Sequence, residues 1–243
     1  MFGIEDGKPV EVIGSVSFEL GAGEIVSLVG PSGCGKTTLL NLICGLLPPT
    51  GGTVLWHGRQ LDGVPQRVGY MLQKDLLLPW RTAMQNVTLA LEVKQVGRSE
   101  RVARARTLLD RLGLGAFTDY YPSALSGGMR QRVALARTLA ADPEVLLLDE
   151  PFSALDFQTK ILIERDTVRL VRDEGRSLLL ITHDIEEAVS LSDRVIVLSH
   201  RPCTVVTQHC IELPGDRTDM MAMREHPEFA RYVRKIWTEL GLQ

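Results

Sequence analysis

The residues with the clearest chemical meaning form a glycine-rich segment, Gly30-Pro31-Ser32-Gly33-Cys34-Gly35-Lys36-Thr37. Its spacing, GxxxxGK[ST], is typical of loops whose backbone N–H groups surround phosphate oxygens, with the next helix pointing its positive end at them. We expect Lys36 to reach the β- and γ-phosphates of a nucleotide and the Thr37 hydroxyl to bind Mg²⁺. An ordinary glycine-rich turn between a strand and a helix is the alternative.

Two acidic residues, Asp149 and Glu150, follow the apolar run Val145–Leu148. If that run is a strand, Asp149 lies at the carboxyl edge of a sheet, where ligands bind in open α/β folds. We expect Asp149 to hold Mg²⁺ through water and Glu150 to polarise an attacking water. Strands often end in acidic turns, so the pair takes its meaning from the phosphate loop earlier in the chain.

A second candidate anion site consists of Ser126, Gly127 and Gly128, which precede a helical pattern. Helix N-termini bind anions through free backbone N–H groups. One nucleotide needs only one such cradle, so a second one indicates a nucleotide bound to a partner. A capped helix with a glycine turn is the alternative.

The predicted elements place these residues on an α/β sheet. Strand patterns occur at Val16–Leu20, Glu24–Val29, Thr53–Trp56, Arg67–Leu72, Val145–Leu148, Leu178–Ile181 and Val195–Leu198. Helical patterns occur at Lys36–Cys44, Ala83–Gln95, Ser99–Leu112, Gly128–Ala141, Phe157–Asp173, Ile185–Ser190 and from Pro227 onwards. Alternating strands and helices predict right-handed crossovers and a parallel sheet covered on both faces. We therefore predict one domain, 1–243, with an α/β core at 1–73 and 144–243 and a helical subdomain at 74–143.

The composition is that of a globular protein without a membrane segment of its own. Hydrophobic residues make up 44% and charged residues 23%, and 27 basic against 30 acidic residues give a charge of −3. This balance of charges gives no overall electrostatic field that would attract nucleic acid. No apolar run exceeds four residues, whereas a spanning helix needs about 20. The start resembles no signal peptide, so any membrane association is expected to pass through a partner.

Three further features have plain structural interpretations. The four cysteines lack metal-site or CxxC spacing, which indicates reduced thiols, with a structural disulfide as the alternative. The apolar stripe after Pro227 predicts a helix packed on its own domain rather than a partner site. Arginines at 98, 101, 104, 106 and 111 lie among Glu100 and Asp110, with Leu108, Leu109 and Leu112 on the other side of the helix. They indicate a solvated helix rather than a nucleic-acid face.

Five segments in order resemble the ATPases of ABC transporters, namely GPSGCGKTT, MLQ, LSGGMRQR, LLLDEPFSALD and ITHD. The resemblance covers essentially the whole chain, and LSGGMRQR separates this family from phosphate-loop GTPases, kinases and helicases. It implies a phosphate-loop NTPase core, in which a RecA-like parallel sheet has a flanking antiparallel β part, with an inserted helical subdomain. It also implies hydrolysis of ATP with Mg²⁺ by two head-to-tail subunits, coupled to transmembrane permease subunits.

The resemblance assigns roles residue by residue. Gln73 is implied to contact Mg²⁺ and the attacking water, and His183 to hydrogen-bond the γ-phosphate and orient that water. Ser126–Gly128 would grip the γ-phosphate bound to the opposite subunit. The implied catalytic residues are Glu150, His183, Gln73 and Lys36. The implied Mg²⁺ ligands are Thr37, Gln73 and Asp149. The implied dimer-interface loop is Ser153, Ala154, Leu155 and Asp156.

The implied ATP-binding set extends from the phosphate loop towards the adenine. It comprises Phe2, Gly30, Pro31, Ser32, Gly33, Cys34, Gly35, Lys36, Thr37 and Thr38. Members of the family stack an aromatic residue on adenine well upstream of the phosphate loop, and only Phe2 could do so here. Such stacking is worth roughly 1–3 kcal/mol per base. The strand that usually precedes this aromatic residue has no counterpart, so either the native start lies further upstream or adenine binding is weaker than usual.

The loop after Gln73 carries the information on subtype. Its sequence Leu76-Leu77-Leu78-Pro79-Trp80 is similar to the branch of ABC importers for nitrate, sulfonates and taurine. A core-packing loop is the plain alternative. In this branch the permease and an extracytoplasmic solute-binding protein choose the cargo, and the ATPase lies on the cytoplasmic face of the inner membrane.

Two other functions remain open on the residues. A soluble ABC ATPase of DNA repair or translation typically has a coiled-coil insertion or two tandem cassettes, and this sequence predicts neither. A nucleotide-sensing subunit without turnover is disfavoured by the presence of Lys36, Asp149, Glu150 and His183 together. Pairing with a paralogue is the alternative to a homodimer, which one intact set of motifs makes simpler.

Overall fold

A computed structural model describes residues 2–5 and 8–241, with side chains from residue 10 onwards. The strands are β1 (Phe2–Glu5), β2 (Lys8–Glu11), β3 (Ile25–Val29), β4 (Leu55–Trp56), β5 (Arg59–Gln60), β6 (Val68–Met71), β7 (Val145–Asp149), β8 (Ser177–Ile181), β9 (Arg194–Leu198) and β10 (Val205–Cys210). The helices are α1 (Lys36–Ile43), α2 (Ala83–Val93), α3 (Arg98–Arg111), α4 (Gly127–Ala140), α5 (Phe157–Asp173), α6 (Ile185–Leu191), α7 (Met220–Glu225) and α8 (Pro227–Glu239).

The central sheet of the described chain has six strands in the order β10-β9-β3-β8-β7-β6. All neighbours are parallel except β10, which runs antiparallel to β9, and β1–β2 and β4–β5 form two small antiparallel ribbons. Every residue of β3 and β8 is buried, as expected for parallel strands that helices cover on both faces. The predicted fold class, a mostly parallel α/β sheet with an antiparallel part and inserted helices, is confirmed.

The parallel strands place the chemically marked loops together. The carboxyl ends of β3, β6, β7 and β8 all meet one edge of the sheet. The phosphate loop follows β3, Gln73 follows β6, Glu150 follows β7 and His183 follows β8. This edge is where ligands bind in open α/β sheets.

Helices α2, α3 and α4 lie between β6 and β7 in the chain and pack on one another. Their contact is apolar because Val87, Leu91, Leu109 and Val133 are all buried in one cluster with β7 and β8. Thr82 begins α2 with a capping box, in which its hydroxyl accepts from Gln85 N–H while the Gln85 side chain accepts from the N–H of Thr82. That reciprocal pair satisfies two of the free donors at the helix start. The division of the chain at residues 74 and 143 stays a prediction.

The predicted strand at Val16–Leu20 is wrong. These residues have no ladder partner among the described residues and form an irregular segment. Val16, Phe18 and Leu20 pack against the core cluster that contains residues of β3 and α1, while the residues between them are exposed. The alternation therefore reflects one apolar face of an extended chain, without the backbone pairing that defines a strand. The strand predicted at Thr53–Trp56 is shorter in the structure, where only Leu55–Trp56 form β4.

Two structural findings bear on membrane and redox chemistry. Across the described residues, no helix has the length and apolar character needed to cross a membrane. The four cysteines are free thiols in this structure, and Cys34, Cys44 and Cys203 are buried.

Helix α8 packs on its own domain, as predicted. Phe229 and Ile236 are buried against Val189 of α6 and Val195 of β9. The last turn of α8 is bound to β10 by polar contacts. Glu239 Oε2 lies 2.7 Å from His209 Nε2 and accepts a hydrogen bond of 2.7 Å from Thr207 Oγ1. The sequence patterns did not predict β10 as a strand.

We expect Glu239→Gln to destabilise the fold in a pH-dependent way. Burial raises the pKa of Glu239, but the hydrogen bonds from His209 and Thr207 outweigh it and leave the pKa below its ordinary 4.5. A lowered folded pKa stabilises the protein above the unfolded value, and that contribution is lost as the pH falls through the folded value. The variant should therefore lose about 1–2 kcal/mol of unfolding free energy at pH 7, and less below pH 4.5.

Urea unfolding at pH 7 and pH 4 measures this difference. The control is Glu228→Gln in the first turn of the same helix, where the carboxylate is 46% exposed and pairs with Arg231. An exposed pair of this kind is worth about 0–1 kcal/mol. An equal loss in the two variants, or no change of the Glu239 effect with pH, would contradict the prediction.

Candidate functional site

The phosphate loop is a preformed cradle. Gly33 and Gly35 have φ angles of 75° and 118°, which L side chains rarely adopt. A Cβ on Gly35 would lie 2.8 Å from Ile13 Cδ1, so a larger residue would also have to displace that side chain. Lys36 is 8% exposed, and its ammonium donates to the carbonyls of Gly30 at 2.7 Å and Pro31 at 2.9 Å. The lysine thus lies across the loop whose N–H groups and helix start attract anions.

Asp149 meets the phosphate loop through a hydroxyl. Thr37 Oγ1 donates to Asp149 Oδ2 at 2.7 Å. Asp149 is 2% exposed, and this burial raises its pKa; Glu150 adds to the rise, while the Thr37 hydrogen bond and Lys36 oppose it. A buried carboxylate and a hydroxyl at this distance are oxygen donors suited to a hard cation.

Glu150 is the point where three strand-end loops converge. Its Oε2 accepts a hydrogen bond of 3.1 Å from Gln73 Nε2 and lies 3.3 Å from His183 Nδ1. Gln73 comes from the end of β6, Glu150 from β7 and His183 from β8. A cavity of about 100 Å³ adjoins Glu150, Ser153 and His183, which is room for a few water molecules. The site therefore holds a carboxylate beside a water-sized space, flanked by an amide and an imidazole.

Ser126 is the N-cap of α4, and its hydroxyl accepts a hydrogen bond of 3.2 Å from Met129 N–H. Ser126 and Gly127 are exposed, so the start of this helix is open to a partner. Gly128 lies against the loop after β7, since a Cβ there would be 3.0 Å from Leu155 Cδ2 and 3.4 Å from Ala154 O.

The loop of Ser153, Ala154, Leu155 and Asp156 runs from Glu150 to α5. Ser153 and Ala154 are exposed, and Asp156 caps α5 by accepting a hydrogen bond of 3.1 Å from Thr159 N–H. The cap fixes the end of the loop, while its tip remains accessible on the same face as the start of α4.

The structure brings together most of the residues that the sequence marked. The phosphate loop, with Thr38 half-buried behind it, meets Asp149 directly, and Gln73 and His183 meet Glu150. Phe2 belongs to β1, but its side chain lies outside the described residues, so its predicted stacking on adenine stays a prediction.

Sequence reasoning missed the side chains that join α4 to the two loops beside it. Gln131 of α4 bonds both Glu150 and Ala154. Arg130 and Arg137 hold the loop after Gln73, through Asp75 Oδ2 at 2.9 Å and the carbonyl of Asp75 at 2.6 Å respectively. The sequence does show polar residues after Gly128 in an amphipathic helix, and these could have suggested such contacts. The pattern does not indicate which residues they bond.

The segment after Gln73 presents apolar side chains on a braced backbone. Trp80 is 71% and Leu76 54% exposed, whereas Leu77 is buried. Asn86 of α2 is fully buried and braces the segment, since its amide donates to the Leu78 carbonyl at 3.2 Å and its Oδ1 accepts from Leu78 N–H at 2.8 Å. Exposed apolar residues on a fixed loop are typical of a protein interface.

Comparison with known proteins decides the family. The profile described as ABC transporter matches residues 13–153, more than half of the chain. The chain belongs to the ABC transporter ATP-binding family. This ABC ATPase is 43% identical to the nitrate import ATP-binding protein NrtD of Synechocystis sp., over 93% of this chain and 87% of that protein. It is 41% identical to the taurine import ATP-binding protein TauB of Yersinia pestis, over 92% and 88%.

Solved structures agree with this assignment. A dimeric post-hydrolysis state of the ATP-binding cassette MJ0796, bound to ADP and Pi, superposes with a TM-score of 0.80 at 31% identity. The match covers 88% of this ABC ATPase and 96% of that chain. The predicted family and ATPase activity are confirmed.

Proposed function

We propose that this ABC ATPase energises an importer for nitrate, a sulfonate, taurine or a related small solute. The observation that carries the proposal is the convergence of Gln73 and His183 on the Glu150 carboxylate, at the sheet edge that also holds the phosphate loop. The likeness to nitrate and taurine import subunits supports the choice of solutes.

The proposed chemistry assigns each of these groups one task. Lys36 and the loop N–H groups bind the β- and γ-phosphates. The Glu150 carboxylate polarises the attacking water molecule, and general-base assistance of this kind typically contributes 10²–10⁴-fold. Gln73 and His183 fix the direction of that carboxylate, and His183, whose side chain is 62% exposed, is free to reach the γ-phosphate.

The same residues fit a magnesium ion. The described residues contain no group of three or more His, Cys, Asp or Glu that could bind a metal unaided. Mg²⁺ in nucleotide sites needs only one or two protein oxygens, because water and phosphates complete its shell. Asp149 and Thr37, already 2.7 Å apart, would hold it with Gln73 nearby. When bound, Mg²⁺ neutralises charge on the phosphates.

The proposed assembly is a head-to-tail homodimer. The exposed start of α4 at Ser126 and the exposed tip at Ser153 are the surfaces that would close on the nucleotide of the other subunit. ATP then adds charge-assisted contacts to both chains at once, and its hydrolysis removes them, as in other γ-phosphate switches. The cassette MJ0796 is a dimer in its solved structures, which supports this arrangement.

The proposed partner on the membrane side is a pair of permease subunits that contact Leu76 and Trp80. This ABC ATPase would then lie on the cytoplasmic face of the inner membrane, and a solute-binding protein would act on the far side. Arg137 supports a path for the signal. It lies on α4, the helix that Ser126 caps, and donates to the carbonyl of Leu76 at 2.8 Å.

Permease-stimulated ATP hydrolysis tests the proposal. The cognate permease, reconstituted in liposomes with its solute-binding protein, should raise the ATPase rate when the solute is added. Trp80→Ala should reduce that stimulation at least about tenfold, since a buried aromatic at an interface centre is worth about 2 kcal/mol or more. Purified ATPase that hydrolyses ATP but never responds to the permease would contradict the transport role.

Val206→Ala is the matched control. Val206 is 46% exposed and lies on β10, at the opposite edge of the sheet from β6 and the Gln73 loop. Loss of stimulation in both variants would indicate a general defect in place of a specific contact at Trp80.

A further inference from the structure

Gln131 bridges helix α4 and the catalytic loop with both ends of its amide. Its Nε2 donates to the Glu150 carbonyl at 3.0 Å, and its Oε1 accepts from Ala154 N–H at 3.1 Å. The side chain is 5% exposed. The two backbone partners fix the orientation of the amide, because a carbonyl can only accept and an N–H can only donate.

The backbone that Gln131 holds is strained. Glu150 has a φ of 50°, which is unusual for a residue with a side chain, and Pro151 follows it, which favours extended backbone instead. The Glu150 carbonyl also accepts from Ser153 Oγ at 3.0 Å, and its N–H donates to Ile181 O at 2.9 Å. Strained conformations persist only where surrounding contacts impose them, and Gln131 supplies one of these contacts from another element.

This conformation decides where the Glu150 carboxylate lies. From it the side chain reaches Gln73 and His183. Relaxation of the backbone would turn the carboxylate away from both, and a displacement of about 1 Å at a reacting group can reduce a rate 10²-fold.

Gln131 also lies close to the exposed start of α4. It is five residues beyond Ser126, or about 7.5 Å along the helix axis. Gly128 packs on Leu155 between them, so the helix contacts the loop after Glu150 at two levels. A shift of α4 is therefore transmitted to the Glu150 carbonyl by a hydrogen bond as well as by packing.

We propose that Gln131 is a positioning residue that ties helix α4 to the catalytic carboxylate of the same chain. This proposal rests on the proposed function, in which Ser126 contacts the nucleotide of the partner subunit. Gln131 then relays the closure around one nucleotide to Glu150 at the other, so that the two ATP sites of a dimer act cooperatively.

Two substitutions test the proposal. Gln131→Glu keeps the size and the acceptor for Ala154 N–H but places an oxygen against the Glu150 carbonyl. Gln131→Met keeps the volume and helix propensity and removes both hydrogen bonds. In each variant kcat should fall at least about tenfold, with KM and ATP affinity within about threefold, and the Hill coefficient for ATP should approach one.

Thr138→Val in the same helix is the control. Thr138 is buried, and its hydroxyl donates to the Ala134 carbonyl one turn back. Its kcat and Hill coefficient should match the wild type, even where its melting temperature falls. Rates are divided by the number of ATP sites measured by equilibrium binding, so that partial unfolding of a variant does not count as lost turnover.

A normal kcat per site with an unchanged Hill coefficient in both Gln131 variants would overturn the proposal. So would a fall in kcat that Thr138→Val reproduces at equal stability. Failure of the proposed function would show differently, as a wild-type protein whose ATPase activity ignores the permease.

Discussion

Replacing Glu150 with glutamine should abolish ATP turnover while leaving ATP binding intact. The glutamine amide is nearly the same size as the carboxylate and can still bond Gln73 and His183. In the wild-type chain Gln73 Nε2 lies 3.1 Å and His183 Nδ1 3.3 Å from Glu150 Oε2. The amide cannot accept a proton from water, so the loss should be about 10²–10⁴-fold in kcat. Because the phosphates are held by the loop around Lys36, ATP affinity should change little, and the unhydrolysed nucleotide should trap a dimer.

Single-turnover hydrolysis and size-exclusion chromatography with ATP measure the two halves of this prediction. Glu186→Gln is the control, since Glu186 is an exposed acidic residue in the first turn of α6. It is three residues from His183 but has no contact with Glu150 in the described structure. Normal turnover in Glu150→Gln would remove Glu150 from the role of base.

The nucleotide edge of the sheet could be predicted because its chemical residues lie close together in the sequence. Val145–Asp149 is an apolar run that ends in a carboxylate, and the phosphate loop places its glycines at fixed spacing from Lys36. Both signals depend on neighbours in the sequence, since strand burial and loop conformation are decided within a few residues.

The parts that could not be predicted depend on contacts across the fold. Nothing in Asp-Glu-Pro indicates a positive φ at Glu150, because Pro151 favours extended backbone. The contacts to the observed backbone include one from Gln131, which is 19 residues away. β10 was missed for a related reason. It is an edge strand with Thr207 and Gln208 in its middle and a register shift near Val205, so its period-2 pattern is weak.

Two variants that are each inactive should recover activity when they are mixed. Lys36→Ala removes the ammonium that lies across the phosphate loop, so each subunit loses its own ATP. Ser126→Arg places a long side chain at the exposed start of α4 and blocks contact with the nucleotide of the other subunit. It also removes the helix cap, at about 1 kcal/mol, which should leave the fold intact.

The recovery follows from the symmetry of a head-to-tail dimer. In a mixed dimer one site combines both defects, while the other combines an intact phosphate loop with an intact Ser126 turn. Random pairing of equal amounts makes half of the dimers mixed, each with one working site, so about a quarter of the wild-type activity should return. Cooperativity between the sites, as inferred for Gln131, would lower that fraction but leave it above the activity of either variant alone.

Mixing Lys36→Ala with the double variant Lys36→Ala/Ser126→Arg provides the control, because no mixed dimer then contains an intact phosphate loop. Fluorescence transfer between labelled chains measures subunit exchange. It shows whether mixed dimers have formed when activity does not return. If exchange occurs and activity stays absent in the test mixture, the Ser126 turn acts on the nucleotide of its own chain. The exposed side chains at Ser126 and Ser153 would then need another occupant, and the head-to-tail site would be excluded.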